Sequence, residues 1–175
     1  MKVGQPLQPI IAPVSTLGSA APHRILALDV GSRRIGLAVS DPLGITAQGL
    51  PTLTRKNKRA DFAALRRVVR KHEVAEIVVG HPLRMSGAPS AQTDKVLAFV
   101  AELRQEFTGP IHLWDERLTS AQANRILDES GHTRLERKGV VDQMAAGLIL
   151  QSFMEARGLE ARGMEARATR VDRKA

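Results

Sequence analysis

The chain has 175 residues, of which 43% are hydrophobic, and none is cysteine. This length suits one ordinary domain, and the lack of cysteine excludes disulfides, thiolate metal sites and a cysteine nucleophile. Lysine and arginine number 26 against 18 acidic residues, a formal net charge of +8, which favours a polyanionic partner such as nucleic acid or an anionic membrane.

The two ends of the chain have compositions that differ from that of its centre. Residues 1–23 contain four prolines and show no helical or strand period, which predicts a flexible leader and not a signal peptide. Residues 154–167 repeat a five-residue pattern in which Gly158 and Gly163 each weaken a helix by about 1 kcal/mol. We therefore expect a folded domain over residues 24–157 and a charged, disordered tail over residues 158–175. A basic arm that contacts nucleic acid is the alternative for the tail.

Apolar runs between these ends predict five strands. An opening hairpin spans residues 24–41, and a third strand covers residues 45–53. Short buried strands follow at residues 76–80 and 111–114. The short connections between the first three strands predict an antiparallel meander.

Helical periodicity predicts four helices. In the first, Phe62, Leu65, Val68 and Val69 form the apolar stripe, and Arg66, Arg67, Arg70 and Lys71 form a basic side. A second helix covers residues 96–107, a third begins at Thr119 with a capping box to Gln122, and the last covers residues 140–154. A meander followed by alternating helix and strand predicts an α/β domain, a mixed five-stranded sheet with helices on both faces.

Three acidic residues lie where apolar elements end or face the predicted core. Asp29 interrupts the first apolar run, where a bare carboxylate costs several kcal/mol unless a cation or solvent meets it. Glu116 follows the fifth strand, at the sheet edge where α/β proteins bind ligands. Asp142 shares a helical face with Ala145 and Ile149. Surface salt bridges and helix caps are the common roles of such acids, and they remain open for all three.

Convergence of these acids would define a particular chemistry. Oxygen ligands select magnesium or manganese over zinc, and bound cations relieve the repulsion among buried carboxylates. Two such ions about 4 Å apart carry out phosphodiester hydrolysis in many nucleases. The acids therefore predict a candidate site for Mg²⁺ or Mn²⁺.

Four ordered motifs resemble those of the YqgF/RuvX family. They are residues 29–41, 78–87, 115–120 and 138–146, within a resemblance that covers about residues 24–155. The resemblance implies an RNase H-like fold related to Holliday junction resolvases, a divalent-metal nuclease activity and a role in maturation of pre-16S rRNA. It gives the catalytic, metal-ligand role to Asp29, Glu116 and Asp142.

Basic and polar residues within the motifs are candidates for further roles. The candidate nucleic-acid contacts are Arg34, Arg84, Arg117 and Lys138. Arg117 could equally pair with the acids beside it. We expect His81 to be a hydrogen-bonded loop histidine, with a general base as the alternative. Aromatic residues make up 3% of the chain, which favours recognition of a nucleic-acid backbone over base stacking.

The functional hypothesis is a magnesium- or manganese-dependent endonuclease that acts on pre-16S rRNA, within a ribosomal precursor particle or free, or on branched DNA in recombination and repair. A nucleic-acid-binding assembly factor with little catalysis is the first alternative. A fragment of an actin-like ATPase is the second, although such ATPases need two domains and this length provides for one. No apolar run reaches the roughly 20 residues that span a bilayer, and the lack of cysteine fits a cytoplasmic protein, which is the expected location. A monomer and a homodimer are both open.

Overall fold

The computed structural model describes residues 23–83, 90–115 and 143–158. Its strands are β1 (Arg24–Val30), β2 (Arg34–Ser40), β3 (Ala47–Thr54), β4 (Val74–His81) and β5 (Ile111–Asp115). Its helices are α1 (Lys58–Lys71), α2 (Ala91–Glu106) and residues 143–158, which we label α3. The leader up to residue 22, the predicted helix that begins at Thr119 and the tail from residue 159 lie outside the described residues.

The five strands form one sheet in the order β3-β2-β1-β4-β5. The pairs β1–β2 and β2–β3 are antiparallel, whereas β1–β4 and β4–β5 are parallel. This arrangement confirms the predicted meander and the mixed α/β sheet. Because β1, β4 and β5 run in the same direction, their carboxyl ends meet at one edge of the sheet.

The turn between β2 and β3 explains why β3 begins later than predicted. The Asp41 carboxylate accepts hydrogen bonds from the backbone N–H groups of Ile45, at 2.7 Å, and Thr46, at 2.9 Å. The bond from Thr46, followed by that from Ile45, lowers the pKa of Asp41. Ile45 therefore belongs to the turn, and its side chain is exposed although it is apolar.

Alternate residues of β1 face two separate apolar clusters. Leu26, Leu28 and Val30 pack with α1 and α2 on one face of the sheet. Ile25 and Ala27 pack with α3 on the other face. The α3 side chains in this contact are Ala146, Ile149, Leu150, Phe153 and Met154. Helices therefore cover both faces of β1, as predicted.

A buried ionic cluster fastens the far end of α3 to the sheet. Glu76 in β4 is 3% exposed, and its carboxylate lies 2.6 Å from Arg157 Nη1 and 2.6 Å from His112 Nε2. His23 Nε2 lies 3.2 Å from the same carboxylate. Burial raises the pKa of Glu76, but the hydrogen bonds from His112 and Arg157 outweigh it and lower the pKa to about 2. The carboxylate is therefore ionised at neutral pH.

Glu76 gives the fold a defined dependence on pH. Its pKa falls from 4.5 to about 2 on folding, so its contribution is complete above pH 4.5 and is lost as the pH falls toward 2. The shift corresponds to about 3 kcal/mol at neutral pH. We expect Glu76→Gln to lower the free energy of unfolding at pH 7 and to flatten its decline between pH 4.5 and about 2, measured by urea denaturation.

Glu155 supplies the control because it is an exposed acid on α3, the helix that contacts Glu76 through Arg157. Glu155→Gln should change the free energy of unfolding by less than about 0.5 kcal/mol. If Glu76→Gln keeps the wild-type pH dependence, Glu76 is not the source of the loss of stability at low pH.

Candidate active site

Asp29 is half-buried near the carboxyl end of β1, between the buried residues Leu28 and Val30. Successive side chains of a strand point to opposite faces, so Asp29 shares its face with Ile25 and Ala27. That face is the one covered by α3. The predicted catalytic carboxylate therefore lies on the α3 side of the sheet, at the edge where the parallel strands end.

Both strand neighbours of Asp29 are glycines. Asp29 pairs with Gly36 of β2. On the other side, Leu28 pairs with Val79 of β4, which places Gly80 next to Asp29. Because neither glycine carries a side chain, the sheet surface on both sides of the carboxylate has no Cβ atom. Such a surface can admit an ion or a phosphate close to the backbone.

The next strand places a large side chain beyond Gly80. Trp114 of β5 pairs with Gly80 and belongs to the α3 side of the sheet. Its indole Nε1 donates a hydrogen bond to Ser152 Oγ of α3 at 3.2 Å, and its ring meets Phe153 edge-on at a centroid distance of 5.4 Å. These contacts fix β5 against α3 two residues before Glu116.

The described part of α3 begins beside the same region of the sheet. A Cβ atom at Gly49 of β3 would lie 3.4 Å from the Gln143 Cβ. Gly49 pairs with Ala38, which pairs with Ala27. This row of small residues lets α3 approach the sheet closely near Gln143.

A tight turn follows Asp29 and joins β1 to β2. The Gly31 N–H donates to the Arg34 carbonyl at 2.9 Å, and the Gly31 carbonyl accepts a hydrogen bond from Arg55 Nη1 at 3.0 Å. Arg55 Nε also lies 3.2 Å from the buried Asp61 carboxylate. Arg34, a predicted nucleic-acid contact, is half-buried at the start of β2. Arg55 therefore links the turn to Asp61 of α1.

The structure describes two of the predicted site residues, Asp29 and Arg34. Glu116, Asp142, Arg84, Arg117 and Lys138 lie outside the described residues. Within residues 23–83, 90–115 and 143–158, no three acidic or histidine side chains group in a way that could hold a metal ion. The three-carboxylate site thus stays a prediction.

His81 differs from its predicted setting. It is the last residue of β4 and not part of a loop. Strand alternation places it on the α1 and α2 face, opposite to Asp29. Its Nε2 is buried and has no hydrogen-bond partner in the part of the chain that the structure describes. Because His81 and Asp29 lie on opposite faces of the sheet, the position of His81 does not favour a role as general base at Asp29.

The sequence analysis does not predict the roles of two buried acids, Asp61 and Glu76. Asp61 accepts a hydrogen bond from the Lys56 N–H at 2.9 Å and pairs with Arg55. Glu76 forms the cluster at the far end of α3. The sequence signal for Asp61 is an acid in the first turn of a helix. The signal for Glu76 is an acid inside an apolar strand.

The sheet order, with three antiparallel strands followed by two parallel ones and helices on both faces, defines an RNase H-like α/β protein. A family model described as RuvX, Holliday junction resolvase, matches residues 23–156. The chain therefore belongs to the RuvX family, a family of nucleases.

Similar proteins match about four fifths of this chain. A relative from Koribacter versatilis is 61% identical over 141 residues, which are 81% of this chain and 92% of the relative. One from Moorella thermoacetica is 48% identical over 135 residues, which are 77% of this chain and 96% of the relative. Both carry the provisional name of a pre-16S rRNA nuclease. T. thermophilus RuvC, solved with Holliday junction substrate, is 16% identical at a TM-score of 0.46, over 77% of this chain and 95% of RuvC.

Substitution of Gly31 tests how tightly the turn after Asp29 is built. A Cβ atom there would lie 2.8 Å from the Arg34 carbonyl oxygen, so the turn would have to shift. We expect Gly31→Ala to lower the free energy of unfolding by about 1–3 kcal/mol, measured by urea denaturation.

Gly147→Ala is the control, since within the described part of the chain no atom outside the neighbouring helix backbone lies within 4 Å of a Cβ at this position. It should raise the free energy of unfolding by about 0.5–1 kcal/mol because alanine favours a helix. Equal effects of the two substitutions would show that the turn is not constrained.

Proposed function

We propose that the protein is a divalent-metal-dependent endonuclease that cuts structured nucleic acid, with Asp29, Glu116 and Asp142 as the metal ligands. The position of Asp29 is the observation that carries this proposal. Its carboxylate lies on the α3 side of β1, at the carboxyl edge of the sheet, between Gly36 and Gly80.

Strand geometry supports the role of Glu116. Side chains two residues apart on a strand point to the same face, and Trp114 points to the α3 side. A continuation of β5 by one residue would therefore direct Glu116 to the side of Asp29, across the space beside Gly80. An acid at this position would complete a pair of carboxylates from parallel strands.

Helix geometry supports the role of Asp142. Ala146 and Ile149 are buried against the sheet. Asp142 comes four residues before Ala146 and seven before Ile149, so one more helical turn would put it on the same stripe. The close approach of α3 at Gly49 would leave a short carboxylate there within reach of the sheet edge.

The donor set fits a hard cation. The proposed ligands are all carboxylates, which magnesium and manganese prefer, and the flanking glycines leave room beside Asp29. When bound, such an ion supplies charge for the attacking and leaving oxygens of a phosphodiester. The chain's own part would be to position the carboxylates, with Asp29 on β1 and with Glu116 and Asp142 carried by β5 and α3, which pack against each other through Trp114 and Phe153.

The substrate class follows from the relatives and from charge. The family description names the Holliday junction, and the curated relatives are named for pre-16S rRNA. A net charge of +8 suits either polyanion. We propose processing of the 5′ end of pre-16S rRNA as the principal reaction and cleavage of four-way DNA junctions as the alternative.

Cleavage of a pre-16S 5′ leader and of a four-way junction by purified protein tests the proposal. In Mg²⁺ or Mn²⁺, we expect the wild type to cut at least one substrate and Asp29→Asn to be at least about a hundredfold slower, because several kcal/mol of charge stabilisation is lost. Chelation of the metal should abolish cutting.

Asp94→Asn is the matched control because Asp94 is an exposed acid in the first turn of α2. It should cut at the wild-type rate. Undiminished cutting by Asp29→Asn would exclude Asp29 from the site. Binding without cutting by the wild type would favour an assembly factor over an enzyme.

A further inference from the structure

A cleft with a basic rim lies between the first turns of α1 and α2. Its volume is about 540 Å³, and its lining includes Phe62 and Phe99, whose stacked rings have centroids 5.2 Å apart. Ser32 of the β1–β2 turn also lines it. The cleft therefore reaches the same edge of the sheet as Asp29, but on the α1 and α2 face.

The basic side chains of the cleft fall into two groups. Arg55 and Lys58 are engaged, since Arg55 pairs with Asp61 at 3.2 Å and Lys58 pairs with Glu102 at 2.8 Å. Lys56 and Lys95 are exposed, and within the described segments neither forms an ion pair. Two lysine ammonium groups are thus available to an anion at the rim.

The walls of the cleft are held in place by other contacts. Arg55 lies over the Phe99 ring at 5.7 Å and also donates to the Gly31 carbonyl. The Lys56 N–H donates to Asp61 at 2.9 Å, which fixes the backbone that carries the first free lysine. Lys95 belongs to the first turns of α2, whose start is closed by a capping box of Ser90 and Thr93. The rim therefore presents its charges from a preformed frame.

The β1–β2 turn connects this cleft to Asp29. Gly31 is bonded to Arg55 and lies two residues after Asp29, a rise of about 7 Å along the strand. A polymer that passes over the turn could therefore meet the carboxylate on one face of the sheet and the lysines on the other. A single phosphate group is too small to contact Asp29 and the cleft lysines at the same time.

We propose that this cleft binds the phosphodiester backbone of the substrate at a position outside the bond that is cut, with Lys56 and Lys95 as the contacting residues. The inference rests on the proposed nuclease function, because it assumes a nucleic acid at Asp29. Backbone contacts of this kind are independent of base sequence and weaken as salt rises.

The salt dependence of binding tests the cleft separately from cleavage. Labelled four-way DNA junction and pre-16S leader RNA are titrated with protein in chelator, and the dissociation constant is followed by fluorescence anisotropy over a series of KCl concentrations. We expect the double variant Lys56→Gln, Lys95→Gln to reduce the slope of log K against log salt by about 1.8 on the DNA duplex and about 1.4 on single-stranded RNA.

The matched control is the double variant Lys71→Gln, Arg104→Gln. It removes two exposed positive charges from the last turns of the same helices, away from the cleft. This variant should keep the wild-type slope. A loss of slope by the Lys56, Lys95 variant on one polymer only would identify the polymer that occupies the cleft.

The outcomes separate the two proposals. If the wild type binds and cuts but both double variants have the same slope, the cleft proposal is overturned and the nuclease proposal stands. If the Lys56, Lys95 variant alone loses slope while Asp29→Asn still cuts normally, the cleft is supported and the catalytic assignment fails. A wild type that binds neither probe overturns both.

Discussion

The double coverage of β1 is the constraint on which the rest of the structure depends. Leu26 and Leu28 are fully buried on one face and Ala27 is fully buried on the other, so every residue of this strand is committed to a side. A shift of one residue in register would exchange the faces. The strand therefore fixes Asp29 on the α3 side, and its carboxyl group lies where the strand reaches the edge of the sheet.

Contacts at both ends of α3 fix its position on the sheet, as burial on both faces fixes β1. At one end, Gln143 lies against Gly49, where the sheet carries small residues. At the other end, Arg157 meets the buried Glu76 carboxylate at 2.6 Å. Burial of Ile149 and Leu150 between these points contributes roughly 1.5–3 kcal/mol for each side chain. A helix held in this way can carry a ligand with little freedom to move.

Much of this architecture can be predicted from the sequence because it depends on periodicity. The apolar runs identify all five strands, and the stripe of Phe62 and Leu65 identifies the buried side of α1. Asp29 can be singled out in the sequence because a carboxylate in an apolar strand is unfavourable unless a cation or solvent meets it. The glycine neighbours on both sides of it depend on pairing between strands, which no local pattern reveals.

Other features depend on contacts between distant residues and could not be predicted in the same way. Glu76 meets Arg157, which is 81 residues away, so a carboxylate in a strand was the only local signal. The cleft combines Ser32, Lys56 and Lys95 from three separate elements. Asp41 shows the opposite case, because the carboxylate contacts that place Ile45 in the turn, and not in the predicted strand, come from a residue only four positions earlier.

Direct titration of Mn²⁺, followed by electron paramagnetic resonance of the free ion, tests the central claim that Asp29 belongs to a metal site. We expect the wild type to bind Mn²⁺ without nucleic acid and Asp29→Asn to bind it at least about tenfold more weakly, because loss of a ligand should exceed the loss of an outer partner. Asp94→Asn should bind as the wild type does. Equal affinity of the wild type and Asp29→Asn would exclude Asp29 from the metal site.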